Sequence, residues 1–162
     1  MKNKRYETAK TVLLTAFLLT FIPVYGNTMS ILDAGKAYFF SPVTGTLTKD
    51  EKPVTNAKII RRWEHESLEQ DETSTDENGN FTFPEVRRRT LVQMLPAEFV
   101  VAQQIAVVQG DEEIVIWSNS KRDSGKNSEL GGKDLDLYCD LDNEEAMYRD
   151  FGAALFTKCT WK

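Results

Sequence analysis

Histidine is nearly absent: the 162-residue sequence holds one, His65. A lone imidazole cannot build the usual histidine-rich zinc site, and it is poorly placed to serve a nucleophile in a triad. Cysteine is almost as scarce, with Cys139 and Cys159 only, and neither belongs to a CxxC or Cys/His grouping. No glycine loop of the phosphate-cradling kind is present, and Ser41, Ser118 and Ser120 lack the glycine elbow of a hydrolase nucleophile. An excess of positive charge is missing too. The net charge is −5, which argues against nucleic acid as a partner. No metal and no cofactor are expected.

What is present describes a globular, exported chain. Apolar residues make up 41% and charged residues 28%, enough for one domain with its own core. The first 26 residues have the three parts of a secretory signal. Lys2, Lys4, Arg5 and Lys10 form a basic start, Thr11 to Val24 is apolar and uncharged, and Pro23 breaks the helix ahead of a cut after Gly26. The apolar run is short for a bilayer span of roughly 20 residues, so an uncleaved anchor is the alternative. Removal of the four basic residues and Glu7 takes the net charge from −5 to −8. A start at Met29 would instead leave a cytoplasmic chain without a leader.

The rest reads as short strands joined by turns. Gly45 to Thr48 is a first strand and Lys49 to Pro53 a polar turn. Lys58 to Trp63 alternates as a strand near an edge, and His65 to Asp71 is a polar loop with His65 exposed. Asp76-Glu-Asn-Gly-Asn80 is a turn that closes a hairpin between Glu72–Asp76 and Phe81–Phe83. Its Asp-x-Asn-x-Asn spacing could begin a calcium loop, but glycine stands fourth instead of sixth, which favours the turn. Arg87 to Pro96 is a longer excursion. Glu98 to Gln109 and Glu113 to Ser118 form a second hairpin about Gly110, and Ser118 to Gly132 is a loop. Asn143 to Phe151 has the signals of a short helix, with Asn143 as N-cap and Gly152 as its stop.

Asp134 to Asp142 is the clearest strand. Leu135, Leu137, Cys139 and Leu141 point one way, and Asp134, Asp136, Tyr138, Asp140 and Asp142 the other. Ala154 to Trp161 alternates likewise, with Leu155, Thr157, Cys159 and Trp161 on one face. Cys139 and Cys159 thus lie on inward faces of two strands. A disulfide can join them if those strands neighbour each other or lie in facing sheets, and an oxidising compartment favours it; a cytoplasmic chain would keep two buried thiols.

Two charged sets are candidate binding residues. Asp134, Asp136, Asp140 and Asp142 offer four carboxylates to a cation or a basic partner, against the reading of a plain wet face. Arg87, Arg88 and Arg89, with Arg61 and Arg62 nearby in type, offer an anion or acidic-protein site, against pairing with local acids such as Glu85. Trp63, Trp117 and Trp161 read as core or core-edge residues.

One stretch carries a family likeness. The pattern Gly45-x-Leu47, Lys52-Pro53-Val54-x-x-Ala57-x-Ile59, then Thr73-x-Thr75-Asp76-x-x-Gly79-x-Phe81-x-Phe83-Pro84 resembles the carboxypeptidase-regulatory-like, or transthyretin-like, β-sandwich domains. The remainder, with Leu95-Pro-x-Glu98-Phe-Val, Ile116-Trp-Ser, Glu129-Leu and Cys139-Asp-Leu141, resembles a small bacterial family of unknown function that shares this front half. The likeness implies an all-β fold: a single antiparallel β-sandwich of the transthyretin (prealbumin) type, about seven strands, with one short helix near the C-terminus. The expected division is residues 1–26 as signal peptide, 27–42 as lead-in and 43–162 as the sandwich.

The expected function is an exported, non-enzymatic binding or structural module of the bacterial cell envelope. Its partner would be another envelope protein, with membrane contact only through an uncleaved leader, and one version is an immunity or inhibitor protein against a periplasm-delivered toxin. The alternatives are a transthyretin-like small-ligand binder or hydrolase, and a carbohydrate or peptidoglycan binder. The likeness supplies no catalytic residues, and the related hydrolases rely on several histidines where this chain has one.

Overall fold

β-Branched and aromatic residues at alternate positions make strands the main element of the described residues. The computed structural model describes residues 35–90 and 98–162, all within one compact unit, Asp33–Lys162. The leader and residues 91–96 of the expected excursion lie outside the described residues.

The strands in order are β1 (Lys36–Phe40), β2 (Val43–Lys49), β3 (Lys52–Pro53), β4 (Lys58–Glu64), β5 (Leu68–Ser74), β6 (Asn80–Phe83) and β7 (Val86–Arg89). There follow β8 (Val101–Gln109), β9 (Glu112–Lys121), β10 (Leu135–Asp140), β11 (Ala146–Tyr148), β12 (Leu155–Thr157) and β13 (Cys159–Trp161). That is thirteen among the described residues, more than the expected seven: the predicted Ala154–Trp161 strand divides into β12 and β13, and β1, β3, β7 and β11 form where a lead-in, a turn, an excursion and a helix were expected. The only helical turn described is a three-residue 3-10 segment, Ser128–Leu130.

Two main sheets share one core. A six-stranded sheet runs β11-β12-β9-β8-β4-β5, and a five-stranded sheet runs β13-β10-β2-β3 with β6 also on β2. A two-stranded sheet pairs β1 with β7. Leu47, Phe81, Leu137 and Cys139 of the second sheet meet Ile59, Trp63, Ile105 and Trp117 of the first in a single apolar cluster. Pairing is antiparallel except between β2 and β10, which run parallel from Val43↔Leu135 to Thr48↔Asp140. A parallel neighbour requires a long connection, and here four strands of the six-stranded sheet, β4, β5, β8 and β9, lie between the two strands in sequence.

The Asp76–Asn80 turn does not close a hairpin. β5 pairs with β4 in the six-stranded sheet while β6 pairs with β2 in the five-stranded one, so this turn carries the chain between sheets. Its chemistry is the expected one: Asp76 Oδ1 accepts the backbone N–H groups of Asn78 and Asn80, each at 2.8 Å. Those bonds, Asn80's foremost, hold the Asp76 carboxyl below its ordinary pKa. Gly79 sits at φ +76° with its position facing the Leu47 carbonyl, where an added Cβ would lie 2.5 Å away. Gly45, likewise, lies under the Phe81 ring, 2.5 Å from where its Cβ would be. The two glycines of the motif are therefore set by close approach between β2 and the chain beside it.

Three local expectations are corrected. The expected C-terminal helix is absent: Ala146–Tyr148 is strand β11, paired with β12 from Ala146↔Thr157 to Tyr148↔Leu155. Tyr148 packs against Trp161, and this tertiary contact outweighs a nine-residue helical signal too short to stand alone. The polar loop expected over His65–Asp71 contains the start of β5, whose alternation Glu69, Asp71, Thr73 is a charged edge strand. His65 is half-buried: Nδ1 lies 2.8 Å from the Val100 carbonyl, and the ring packs between Phe39 and Phe99.

A bulge in the β8–β9 ladder adds a residue to β9 between Ile105↔Trp117 and Ala106↔Val115. It turns both Ile116 and Trp117 into the core. The Ile116 carbonyl then accepts Lys158 N–H and the Thr157 hydroxyl, at the corner between β12 and β13.

Candidate functional site

The carboxylates of the acidic strand do not act as one stripe. Asp134 accepts a 2.6 Å bond from the Asn127 amide. Asp140 accepts the Thr48 hydroxyl at 2.8 Å and the Asp142 N–H at 2.9 Å, and Asp142 accepts the Asp50 N–H at 2.8 Å. These three fasten β10 and its flanks to neighbouring backbone and side chains. Asp136 is different. It takes the Thr44 hydroxyl at 3.2 Å, lies 3.4 Å from the Tyr138 hydroxyl, and is 3.9 Å from Lys162 Nζ. Lys162 Nζ also stands over the Tyr138 ring, 4.9 Å from its centroid. Asp136, Tyr138 and Lys162 therefore form a small exposed constellation at the centre of the outer face.

The arginine triplet is strand β7. Arg87 pairs with Tyr38, Arg88 with Ala37 and Arg89 with Lys36 across the two-stranded sheet. The Arg87 guanidinium lies 4.9 Å over the Tyr38 ring and 3.5 Å from Glu85, and Arg88 reaches Glu69 at 2.7 Å. β7 is not in the sheet that holds β10, so the basic and acidic sets are on separate sheets. Arg62 is bonded to Glu113 through both terminal nitrogens, at 2.7 and 2.8 Å, and to Gln104 at 3.0 Å. Its bond to Glu113 raises the Arg62 pKa and lowers that of Glu113.

Arg61 points inward. It is fully buried, holds Asp71 through two nitrogens at 3.0 and 2.5 Å, and donates to the Pro84 carbonyl at 2.7 Å. Phe83, Phe40 and Trp63 surround its guanidinium at 4.6, 5.0 and 5.5 Å. The remaining tryptophans are core or core-edge: Trp117 is fully buried, and Trp161 is half-buried between Tyr148 and Phe151.

A second buried cluster centres on Glu129. Its Oε1 accepts the Ser41 N–H and the Gln103 amide, each at 3.0 Å. Its Oε2 accepts the Ser41 hydroxyl at 2.8 Å and Lys121 Nζ at 2.7 Å. Lys121 adds the Gly125 carbonyl at 2.8 Å, and Gln103 the Phe39 carbonyl at 2.8 Å. Burial works against the Glu129 carboxylate, but Lys121 and the other donors outweigh it and hold the pKa below its ordinary value. Burial pulls the Lys121 pKa down, against the pull of Glu129. Ser41 is fully buried and its hydroxyl is committed to a carboxylate, so the cluster ties β1, β8, β9 and the loop after β9 together instead of presenting a nucleophile. The sequence does carry a sign of it: Gln103 takes an inward position between Val101 and Ile105.

The described residues also form concavities. An open groove of about 330 Å³ crosses the outer face of the six-stranded sheet beside Arg62, Leu68, Gln104 and Ser118. A cleft of about 490 Å³ lies among Asp123, Gly131, Gly132, Asp150 and Phe151. No group of three or more metal-ligating side chains occurs among the described residues. No described helix is long and apolar enough to cross a membrane.

Cys139 and Cys159 form a disulfide, with S–S 2.01 Å and Cα atoms 4.0 Å apart. They face each other directly in the β10–β13 ladder, so neighbouring strands bring them together. Reading the alternation placed both on inward faces, and both are buried.

No curated protein and no solved structure matches the chain. Residues 43–144 match a domain of unknown function, DUF6795, from the start of β2 to the stretch after β10. That match takes in most of both main sheets and well over half the sequence: the chain belongs to the DUF6795 family.

Proposed function

We propose that this protein is an exported, disulfide-stapled β-sandwich of the transthyretin-like kind that works as a non-enzymatic binding module of the cell envelope. The disulfide carries the reading. Cytosolic thiols are kept reduced, whereas Cys139 and Cys159 are joined across adjacent strands, which suits a periplasmic or extracellular compartment. The basic, apolar and small-residue order of residues 1–26 supports the same route. The binding role draws support from how the polar groups are used. Ser41, Lys121, Glu129 and Arg61 are spent inside the framework, while the outer sheet faces keep exposed side chains for contact with another envelope protein. An inhibitor or immunity protein against a delivered toxin is one form such a module takes. A hydrolase would have to rely on His65, which is wedged between Phe39 and Phe99.

The test is thiol trapping in separated cell fractions, with intact mass measured with and without reductant. A shortened chain in the periplasm or medium, alkylated only after reduction, is the expected result. A full-length chain in the cytoplasm with both thiols open to alkylation would overturn export.

A further inference from the structure

The outer face of the five-stranded sheet bears one large side chain among short ones. Tyr138 stands between Thr46 on β2 and Thr160 on β13, and β6 extends the same face with Asn80 and Thr82. Tyr138 is 37% exposed. Asp136 and Asp140 precede and follow it at alternate positions of β10. Carboxylate, ring and carboxylate therefore follow one another along about 13 Å of one strand face.

A cation already rests there. Lys162 Nζ lies over the Tyr138 ring and toward Asp136, yet its side chain keeps 76% of its exposure. The lysine is laid on the surface and not built into the core. Its contact with Tyr138, more than the charge of Asp136, raises its pKa. The chain thus displays, with its own ammonium group, the chemistry this face accepts: an aromatic ring for the cation and a carboxylate beside it.

We propose that Tyr138 and Asp136 form a docking surface for a lysine-bearing segment of a partner protein, and that Lys162 is the internal occupant which such a segment displaces. This rests on the binding-module reading above and names the partner's chemistry. Charge complementarity favours a basic occupant, since the face is acidic on a chain of net charge −5. The Tyr138 and Asp136 side chains stand exposed along one strand, which suits an extended peptide more than an enclosed small molecule. Alternate side chains of an extended peptide recur about every 7 Å, the spacing at which β10 presents Asp136, Tyr138 and Asp140.

The probe is a synthetic Lys-Thr-Lys-Thr-Lys peptide titrated calorimetrically against the purified protein, with the Glu-Thr-Glu-Thr-Glu peptide and spermidine as comparisons. The lysine peptide is expected to bind and the glutamate peptide not. Lys162→Ala empties the platform and is expected to tighten binding about fivefold. Tyr138→Ala and Asp136→Asn should each weaken it about threefold to tenfold, while Tyr138→Phe, which keeps the ring, should bind nearly as the parent does. The three substituted side chains, Lys162, Tyr138 and Asp136, are partly or largely exposed, so unchanged thermal unfolding would accompany each variant. Equal affinity in Tyr138→Ala, or no gain in Lys162→Ala, would overturn the proposal. Spermidine binding as tightly as the peptide would overturn the assignment to a protein segment. The outcome is independent of the fractionation result. An exported, oxidised chain that ignores the peptide removes the platform alone, and a cytoplasmic, reduced chain that binds it removes export alone.

Discussion

Glu129 and Arg61 are the two charged side chains whose loss should matter most. Each is buried, and each is satisfied by several partners from distant parts of the chain. Glu129→Gln keeps the shape and removes the charge, leaving the Lys121 ammonium buried without its counter-ion. Breaking a buried pair in this way costs about 3–5 kcal/mol, and urea unfolding should show a midpoint lowered to match. The pH dependence has a definite sign. The folded pKa of Glu129 lies below its unfolded value, so its stabilisation is complete above the ordinary carboxylate range. It is lost as pH falls through the folded value. An acid-unfolding series on the parent should therefore slope downward in that range, and the Gln variant should slope less. Arg61→Lys is the parallel case. An ammonium cannot hold Asp71 with two prongs and reach the Pro84 carbonyl at once, nor lie flat among three rings. The expected loss is about 2 kcal/mol, read from the same unfolding curves. An unchanged midpoint would mean that ring packing around the stem, and not the guanidinium, sets the stability of this end of the core.

At the scale of elements, Gly79 joins local turn chemistry to the contact between β2 and the chain beside it. Its φ of +76° and the 2.5 Å approach of the Leu47 carbonyl leave no room for a side chain. Gly79→Ala should cost about 1–3 kcal/mol, and amide exchange should quicken first in β6 and the facing part of β2. Uniform protection across both strands would argue that the turn relaxes without disturbing the pair. This turn also marks what the sequence could convey. The Asp-x-x-Gly signal announces a tight reversal because its bonds are local, Asp76 to Asn78 and Asn80. It does not say that the flanking strands belong to different sheets, since that depends on β2 and β4 as partners. The alternation of Leu135, Leu137 and Cys139 told the buried face from the wet one, because a strand's period is independent of its neighbours. The strand at Ala146–Tyr148 was hidden for the opposite reason: only β12 and the Trp161 ring make it a strand. The candidate site follows the same rule. Asp136 and Tyr138 were visible as outward residues, whereas Lys162 joins them only because β13 lies beside β10. Glu129 was harder still, as its donors come from Ser41, Gln103 and Lys121, up to 88 positions away.

Across the whole molecule, the disulfide acts where the chain passes from one sheet to the other. β12 belongs to the six-stranded sheet, and a single residue, Lys158, separates it from β13 at the edge of the five-stranded sheet. The Cys139–Cys159 bond spans 20 positions, and this loop includes β11 and β12. Closing it removes roughly 3 kcal/mol of unfolded-chain entropy. The core itself does not depend on that link, because Leu47, Leu137, Ile59 and Trp117 pack together from both sheets. Reduction should therefore leave a folded protein of lower stability, with the melting temperature down by roughly 10 °C for a domain of this size. The loosening should be uneven. β13 has only three residues and pairs with β10 alone, so it should be the first strand released. Its departure would take Trp161 away from Tyr148 and Phe151 and lift Lys162 from the Tyr138 ring. Thermal scans with and without reductant, followed by far-ultraviolet circular dichroism and tryptophan fluorescence, measure both effects. A fluorescence change that precedes loss of the β signal in the reduced protein alone is the expected pattern. Complete unfolding on reduction would mean that the two sheets do not hold together without the staple. An unchanged melting temperature would mean that β13 stays in place by its ladder and aromatic contacts alone.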